Sequence, residues 1–581
     1  MGEMTMTQVG PEPVTLPPVT GYTVGDYLLD RLAGAGVRHL FGVPGDFTLS
    51  FLDHVQAHPD IEWVGCANEL GAGYAADGYA RLHGLGALCT TFGVGELSAI
   101  AALAGSRAEH VPVVHVVGAP TTATQAAGRA THHTLGDGDF GHFARMAAEV
   151  AAAYATVTGD GYAEEIDRVL IEARDRRLPG YLLLPADVAA APAVPPPAPL
   201  PEHPGVTDAS IAADFRARLV ERMTQASTVT LLADILVSRL GAEAHLHRVT
   251  ALGVPHATLL WGRRVVDESA PGYLGSYLGA SSDDQVRVAV EDADLLVMAG
   301  VQFTDLTSGF FSQRIDPART VEIGGEAVSW DGRIFSPLTM TDALDIVAEV
   351  LIETGAGRRV GSTDAAQERA AAPVAPLSDD AHVDTPLGQE ALWREVADFL
   401  RPGDIVFADQ GTSFYGMADH RLPGGVTFVG QPLWASIGYT LPAVLGAALA
   451  APERRPVLLI GDGAAQMTVA ELGTLLRRGI PAVVVVVDNA GYTVERVIHG
   501  ANEAYNDIGT WDWVQVMKGM DAAGSARGIR VATAAELRAA LSDARASSSL
   551  TLIQAVVPPQ DVPPVLRAIA AAAAAANRSK D

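Results

Sequence analysis

The residues best placed to do chemistry lie between positions 458 and 495. An apolar run ends in Gly461-Asp462-Gly463-Ala464, an amphipathic stretch follows, and a second apolar run ends in Asp488-Asn489-Ala490-Gly491-Tyr492-Thr493-Val494-Glu495. This pattern reads as strand, turn, helix, strand, with both polar turns at one edge of a parallel sheet, where ligands of open α/β sheets sit. Asp462 and the side-chain oxygen of Asn489 are hard ligands suited to Mg²⁺ bridging a diphosphate. Gly463 lets the backbone come close to a phosphate, and the helix that follows offers unpaired N–H groups at its positive end. Taken alone, Gly-Asp-Gly is also a common turn. The partner strand ending in Asn489, with Gly491 just behind it, favours the ligand reading.

Titratable side chains also stand in the first segment and just after the second polar turn. His132 and His133 are adjacent, Asp46 lies in a Pro-Gly-Asp turn, Glu69 follows Asn68 at the start of an amphipathic stretch, and Glu495 follows the second polar turn. The histidine pair could instead hold a metal. Sequence neighbours seldom point the same way, however, and no further Cys or Glu lies nearby at zinc spacing, so a metal site is disfavoured. Asp46 and Glu69 each also have a plain structural reading, as a turn residue and as a helix cap.

These groups need a framework that brings distant segments together. The chain has 581 residues, enough for three or four domains. Two stretches interrupt the apolar patterning: the proline-rich residues 189–206, and residues 355–384, rich in Ala, Pro, Ser, Arg and Asp. Each of the three segments so divided alternates short, wholly apolar runs (112–117 and 181–184, 228–232 and 295–298, 457–460 and 482–487) with longer amphipathic ones. Runs apolar throughout are expected of strands buried on both faces of a parallel sheet. The fold class expected is α/β, with three doubly wound parallel-sheet domains. The first and third segments share a strand, glycine-rich turn and helix pattern suggestive of related domains.

Composition narrows the partners. Hydrophobic residues make up 48% and charged residues 19%, an ordinary globular balance, with net charge −28. Such a field disfavours nucleic acid and anionic membranes, and an anionic substrate would need local positive potential from a metal or histidines. The two cysteines, Cys66 and Cys89, exclude a disulfide framework and point to a reducing cytoplasm. Residues 1–20 lack the basic start and apolar core of a signal peptide. The alanine-rich run 568–576 is too short to span a bilayer and reads as helix.

With these motifs in place, the chain closely resembles the thiamine-diphosphate-dependent enzymes, whose signature is Gly-Asp-Gly followed by Asn. Within them it is similar to the pyruvate, indolepyruvate and branched-chain 2-oxo-acid decarboxylases. Asn489-Ala-Gly-Tyr-Thr-Val-Glu495-Arg-Val-Ile-His-Gly, Gln431-Pro-Leu-Trp-Ala-Ser-Ile437-Gly-Tyr-Thr-Leu-Pro, Phe41-Gly-Val-Pro-Gly-Asp46-Phe, Asn68-Glu69-Leu-Gly-Ala-Gly-Tyr, and Thr131-His132-His133-Thr match in order along nearly the whole chain. The resemblance implies a pyrimidine-binding domain at residues 20–190, a central domain at 205–355 and a diphosphate- and Mg²⁺-binding domain at 385–570. It implies cofactor contacts from Glu69, Gly411, Thr412, Ala435, Ile437, Asp462, Gly463, Ala464, Asn489, Gly491, Tyr492 and Thr493, with Asp462, Asn489 and Gly491 holding the metal. Glu69 would address the aminopyrimidine ring and Ile437 would wedge the cofactor into a bend. Asp46, His132, His133 and Glu495 would carry the protons. Glu69 and Asp462 would meet across two subunits, giving a homodimer with shared sites, paired into a homotetramer.

The implied reaction is non-oxidative decarboxylation of a 2-oxo acid to aldehyde and CO₂, with an acyloin-forming carboligase of the same superfamily as the alternative. A cofactor-free homologue is disfavoured because Glu69, Asp462 and Asn489 are all present. Gln410, Phe414, Val494, Ile498 and Ile569 match the substrate chamber. Phe414 stands where indolepyruvate-type enzymes carry a small residue and the branched-chain type a phenylalanine, whereas the alanines beyond Ile569 would leave room. The balance favours an apolar side chain, branched aliphatic or aromatic, over a methyl group. Some relatives sense substrate through a cysteine in the central domain; this chain has none there, so hyperbolic kinetics are expected.

Overall fold

The computed structural model describes residues 21–356 and 385–578. The expectations for residues 1–20 and for nearly all of the 355–384 linker fall outside them. The apolar runs become strands almost residue for residue: Val113–Ala119, Gly180–Pro185, Val229–Ala233, Leu295–Ala299, Pro456–Gly461 and Val483–Asp488. All but the last residues of the two C-terminal-domain strands are buried, which is why the runs carry no polar alternation.

The strands form three sheets. The first runs in the order Glu62–Gly65, His39–Gly42, Gly86–Thr91, Val113–Ala119, Gly180–Pro185, Ala153–Thr156, all parallel. The third runs Thr427–Val429, Ile405–Ala408, Pro456–Gly461, Val483–Asp488, Thr551–Val556, Arg527–Val531, again all parallel. Numbered within each domain, both orders are 2-1-3-4-6-5, which gives the sequence-level likeness of the outer segments a structural basis. The central sheet is mostly parallel and carries one antiparallel edge. Its parallel strands end in an antiparallel pair, Val328–Trp330 and Arg333–Phe335, beyond Thr320–Ile323. These strands are three residues long and joined by a tight Asp331-Gly332 turn with left-handed backbone at both positions, so no crossover helix is needed.

The proline-rich stretch after residue 189 lies along the first domain instead of spanning open solvent. Ala191 accepts a hydrogen bond from the Val24 N–H, the Ala193 N–H donates to Tyr22, and Arg31 donates to the Ala198 carbonyl. The helix Pro564–Arg578 contains the alanine run. Among the described residues, no helix is long and apolar enough to cross a membrane.

The first and third domains dock through two helices, Glu69–His83 and Thr440–Ala450. Both are built from small residues because their backbones nearly touch. A Cβ at Gly78 would stand 2.1 Å from the Ala443 carbonyl oxygen, and one at Gly446 only 1.8 Å from that of Ala75. Beside this seam lies a buried polar knot. Asp77 accepts from Arg81 Nε (2.6 Å), Ser106 (2.8 Å) and Tyr439 (2.6 Å), and Arg81 also faces Glu109. The docking thus fixes the two outer sheets relative to each other in one chain.

Candidate active site at the carboxyl edges of two sheets

In the third domain, the strands Ile405–Ala408 and Pro456–Gly461 run side by side at the switch point of the strand order, the place where doubly wound sheets open a crevice. Asp409, Gln410, Gly411 and Thr412 leave the first of these strands. Asp462, Gly463 and Ala464 leave the second and open the helix Asp462–Thr468. Asn489 follows the next strand over. Three oxygens converge here. One end of the Asn489 amide lies 3.1 Å from Asp462 Oδ1 and 2.9 Å from the Gly491 carbonyl oxygen, and its other end lies 3.0 Å from Thr493 Oγ1. On its own, the amide satisfies all three by turning its NH₂ to the two oxygens. Turned over, its oxygen would stand about 3 Å from both the Asp462 and the Gly491 oxygen, a group of hard donors of the kind Mg²⁺ takes. Burial pushes the Asp462 carboxyl up to about 7, opposed by the Gly463 N–H and raised further by Asp488. A buried carboxylate so placed is stabilised by a cation.

The neighbouring positions close around this set. Gly463 is required less by an approaching phosphate than by Tyr492, whose ring would stand 2.6 Å from an added Cβ. Ala435 has left-handed backbone (φ 55°). Gly438, immediately after Ile437, lies against the Ala464 carbonyl, 2.8 Å from where its Cβ would be, and its own carbonyl accepts from Thr468 (2.7 Å). Gly438 thus ties the loop carrying Ala435 and Ile437 to the helix that Asp462 opens. The residue that seats this loop is Asp409, to which the sequence reading gave no role. Its buried carboxylate accepts from the Gly438 N–H (3.2 Å) and from the Thr440 N–H (3.2 Å) and hydroxyl (2.6 Å). Burial pushes it up to about 6, while these donors pull it back.

In the first domain, Asp46, His132 and His133 come together. His132 Nε2 is 2.8 Å from Asp46 Oδ2, and one ligand atom from each of the three lies within 4.8 Å of the others. One ground of the sequence argument is overturned. The adjacent histidines do point the same way, because His133 has left-handed backbone (φ 63°), and their ring centroids are 4.5 Å apart. Phe47 stacks on His132 at 4.9 Å and meets His133 edge-on. Glu69 opens its helix as the residue after the cap Asn68, whose side chain accepts from the Gly71 N–H (2.7 Å). The Glu69 carboxylate reaches the start of the helix Val94–Ala108, within 3.3 Å of a Cβ built on Gly95. Glu471, on a third-domain helix, accepts from the Ala67 N–H (2.8 Å) and steadies the entry to Glu69.

Glu495 lies on the short helix Thr493–Ile498 of the third domain and is exposed, as are Asp46 and His132. Among the described residues, no hydrogen bond or ion pair joins Glu69, Asp46, His132 or His133 to Asp462, Asn489 or Glu495 of the same chain. The expected chamber residues divide. Phe414, Val494 and Ile569 belong to one hydrophobic cluster with Val565 and Leu566. Phe414 is packed against Phe428 and lies against Gly430, where an added Cβ would meet its ring at 2.3 Å. Gly411 comes within 3.6 Å of Val494 by the same measure. Gln410 donates to the Tyr415 hydroxyl (2.9 Å), and Ile498 is exposed at the helix end. Both cysteines are free, and burial pushes their thiols up, Cys89 to about 12, so neither is a thiolate near neutrality.

Asp409, Glu471 and the buried Arg496 escaped the sequence reading. For Glu471 alone the signal was present though weak: one charge in the largely apolar run 469–476, which must find partners once buried.

Residues 22–140 match the family described as thiamine pyrophosphate enzyme, N-terminal TPP binding domain, residues 216–340 its central domain, and residues 409–555 its C-terminal TPP binding domain. The chain is 52% identical over 552 residues to a protein of Mycobacterium tuberculosis named alpha-keto-acid decarboxylase, covering 94% of this chain and 96% of that one. Proteins of the same name from Mycobacterium avium and Mycobacterium ulcerans are each 53% identical over 547 residues, covering 94% of this chain and 95% of theirs.

Proposed function

Because the chain belongs to the thiamine-diphosphate-dependent 2-oxo-acid decarboxylases, we propose that its substrates are 2-oxo acids with an apolar side chain, branched aliphatic or aromatic, released as aldehyde and CO₂. The observation that carries this preference is the hydrophobic cluster joining Phe414, Val494 and Ile569 beside the third-domain crevice. An apolar wall separates side chains by about 1–3 kcal/mol per methylene, so the range is broad and methyl is the poorest fit.

The convergence of Asp462, Asn489 and the Gly491 carbonyl supports Mg²⁺ as the companion cation. Thiamine diphosphate, when bound, supplies the electron sink for loss of CO₂. The protein's part is placement and proton traffic. Gly411, Thr412, Gly463, Ala464, Tyr492 and Thr493 line the diphosphate crevice, Ala435 and Ile437 shape its wall, and Glu69 presents a carboxyl to the aminopyrimidine. Asp46, His132, His133 and Glu495 deliver and remove protons. The histidines and the cation also supply the positive potential that a carboxylate substrate needs in a chain of net charge −28. Two chains share each pair of sites, dimers pair into a tetramer, and the enzyme works in the cytoplasm.

The test is a panel of pyruvate, 3-methyl-2-oxobutanoate, 4-methyl-2-oxopentanoate, phenylpyruvate and indolepyruvate, with free aldehyde measured by a coupled alcohol dehydrogenase and acyloin by chromatography. The branched and phenyl substrates should exceed pyruvate in kcat/KM. Acyloin as the main product, or pyruvate as the best substrate, would refute the assignment.

A further inference from the structure

Between the strand Val483–Asp488 and the helix Thr493–Ile498 the chain turns through Asn489, Ala490 and Gly491. Ala490 (φ 56°) and Gly491 (φ 138°) both have positive φ, so the turn presents three backbone carbonyls within a short span. Each is a hard oxygen that a divalent cation would accept. Something must decide which of them is free to do so.

The side chain of Arg496 folds back beneath this turn and is almost wholly buried, at 7% exposure. Nη1 donates to the Asn489 carbonyl (3.1 Å) and more distantly to that of Pro559 (3.4 Å). Nη2 donates to the Ala490 carbonyl (2.7 Å), to the Asp507 carboxylate (2.9 Å) and weakly to the Asn506 carbonyl (3.5 Å). Two of the three turn carbonyls are therefore committed to the guanidinium. The third, that of Gly491, takes the Thr493 N–H (3.1 Å) and faces the Asn489 amide at 2.9 Å. The clamp leaves no room for a side chain at Gly491, where a Cβ would stand 2.2 Å from the Asn506 oxygen and 2.6 Å from Arg496 Nη2. Asp507 offsets the charge of Arg496, which limits the repulsion felt by a cation beside the turn.

We propose that Arg496 is the positioning residue that makes Gly491, and not Asn489 or Ala490, the backbone ligand of the divalent cation, and so sets the affinity of the metal site. The proposal rests on the reading of Asp462, Asn489 and Gly491 as that site. A planar fork of N–H donors is what the task demands; a lysine ammonium carries the charge but cannot hold two divergent carbonyls and a carboxylate in one plane.

The test uses Mn²⁺ as the probe, titrated into the full-length protein with thiamine diphosphate present, with free Mn²⁺ counted by electron paramagnetic resonance. Changing a group that orients metal ligands without touching the metal typically weakens binding 10–100-fold. Half-saturation in Arg496→Met should rise by that factor, while the same stoichiometry is reached at high Mn²⁺, which a collapsed site would not allow. Arg496→Lys should resemble Arg496→Met. Half-saturation of Arg496→Met within twofold of wild type would overturn the proposal. So would full rescue by lysine, since charge alone would then suffice. Asp462→Asn is the separate control: if it binds Mn²⁺ as wild type does, the ligand assignment itself fails, whatever Arg496 does.

Discussion

Glu96 offers the sharpest test of the electrostatics beneath the histidine pair. It sits three residues into the helix Val94–Ala108, 3% exposed, with Oε1 accepting from the Gly93 N–H (2.8 Å) and Oε2 from the Tyr181 hydroxyl (2.7 Å). Gly93 has left-handed backbone (φ 64°) and lies against the His133 carbonyl, 1.9 Å from where a Cβ would be, so Glu96 helps set the floor of the histidine loop. Burial is the largest influence on its carboxyl and pushes it up to about 7 from an ordinary 4.5, against the pull of its two donors. Between these values the folded protein holds a proton that the unfolded chain has released. Stability therefore falls as pH rises through this window, and the loss is complete above pH 7. The gap corresponds to about 3 kcal/mol at neutral to alkaline pH.

Glu96→Gln keeps the shape and removes the ionisation. The amide oxygen accepts from Gly93, the amide N–H donates to the Tyr181 oxygen, and the phenol turns its proton away. Near pH 5 the variant should lie within about 1 kcal/mol of wild type, the cost of one altered buried hydrogen bond. Its relative stability should then climb by about 1.4 kcal/mol per pH unit up to pH 7, ending about 2–3 kcal/mol above wild type at pH 8.5. A three-domain chain need not unfold in one step. The measurement is therefore hydrogen exchange of peptides covering the strand Gly86–Thr91 and the helix Val94–Ala108, variant against wild type at each pH. A difference that does not change between pH 5 and 8.5 would show that Glu96 ionises like a surface carboxylate, and the argument from its burial would be wrong.

Glu69→Gln should lower aldehyde formation at least 100-fold, in the range that positioned proton-transfer groups contribute; calorimetry should still show thiamine diphosphate binding, and a kcat near wild type would remove Glu69 from the proton path. Gly446→Ala places a methyl where the Ala75 carbonyl oxygen stands 1.8 Å away, so the first and third domains must separate; overpacking of this kind costs about 1–3 kcal/mol or more, and an unchanged thermal midpoint would contradict the close helix contact.

What the sequence made legible follows from what each feature depends on. The long parallel strands were readable because burial on both faces leaves an unbroken apolar run. The antiparallel pair at 328–335 was not: its strands are three residues long, and Arg333 and Ile334 are exposed, so neither periodicity nor apolarity marks them. The metal-ligand candidates were readable because their spacing is written along one strand-turn-helix unit. Asp46 and His132 are 86 positions apart, and only the resemblance to a family, not their local context, put them together. Asp409, Glu471 and Arg496 were opaque because their meaning lies in backbone groups supplied by distant segments. The reasoning about the histidine pair failed for a different cause. It assumed ordinary backbone, and a single left-handed residue at His133 reversed the direction of a side chain.

The same geometry bears on the two-chain arrangement proposed above. Its two outer domains have the same strand order, and their docking through Gly78 and Gly446 fixes where each carboxyl edge faces. In this arrangement the His132 and Asp46 side chains are 58% and 49% exposed, and Glu495 is exposed on the other domain. A proton relay open to bulk water would exchange with solvent and face a high dielectric, losing the water-excluded setting in which fixed charges act strongly. Glu69 and Asp462, without a bond between them in one chain, would likewise address different ends of a cofactor. The dimer proposed above would have to cover both the first-domain histidines and the third-domain crevice. The seam through Gly78 and Gly446 therefore bears on the site as well as on stability, because a shift between its two helices would move both carboxyl edges relative to each other.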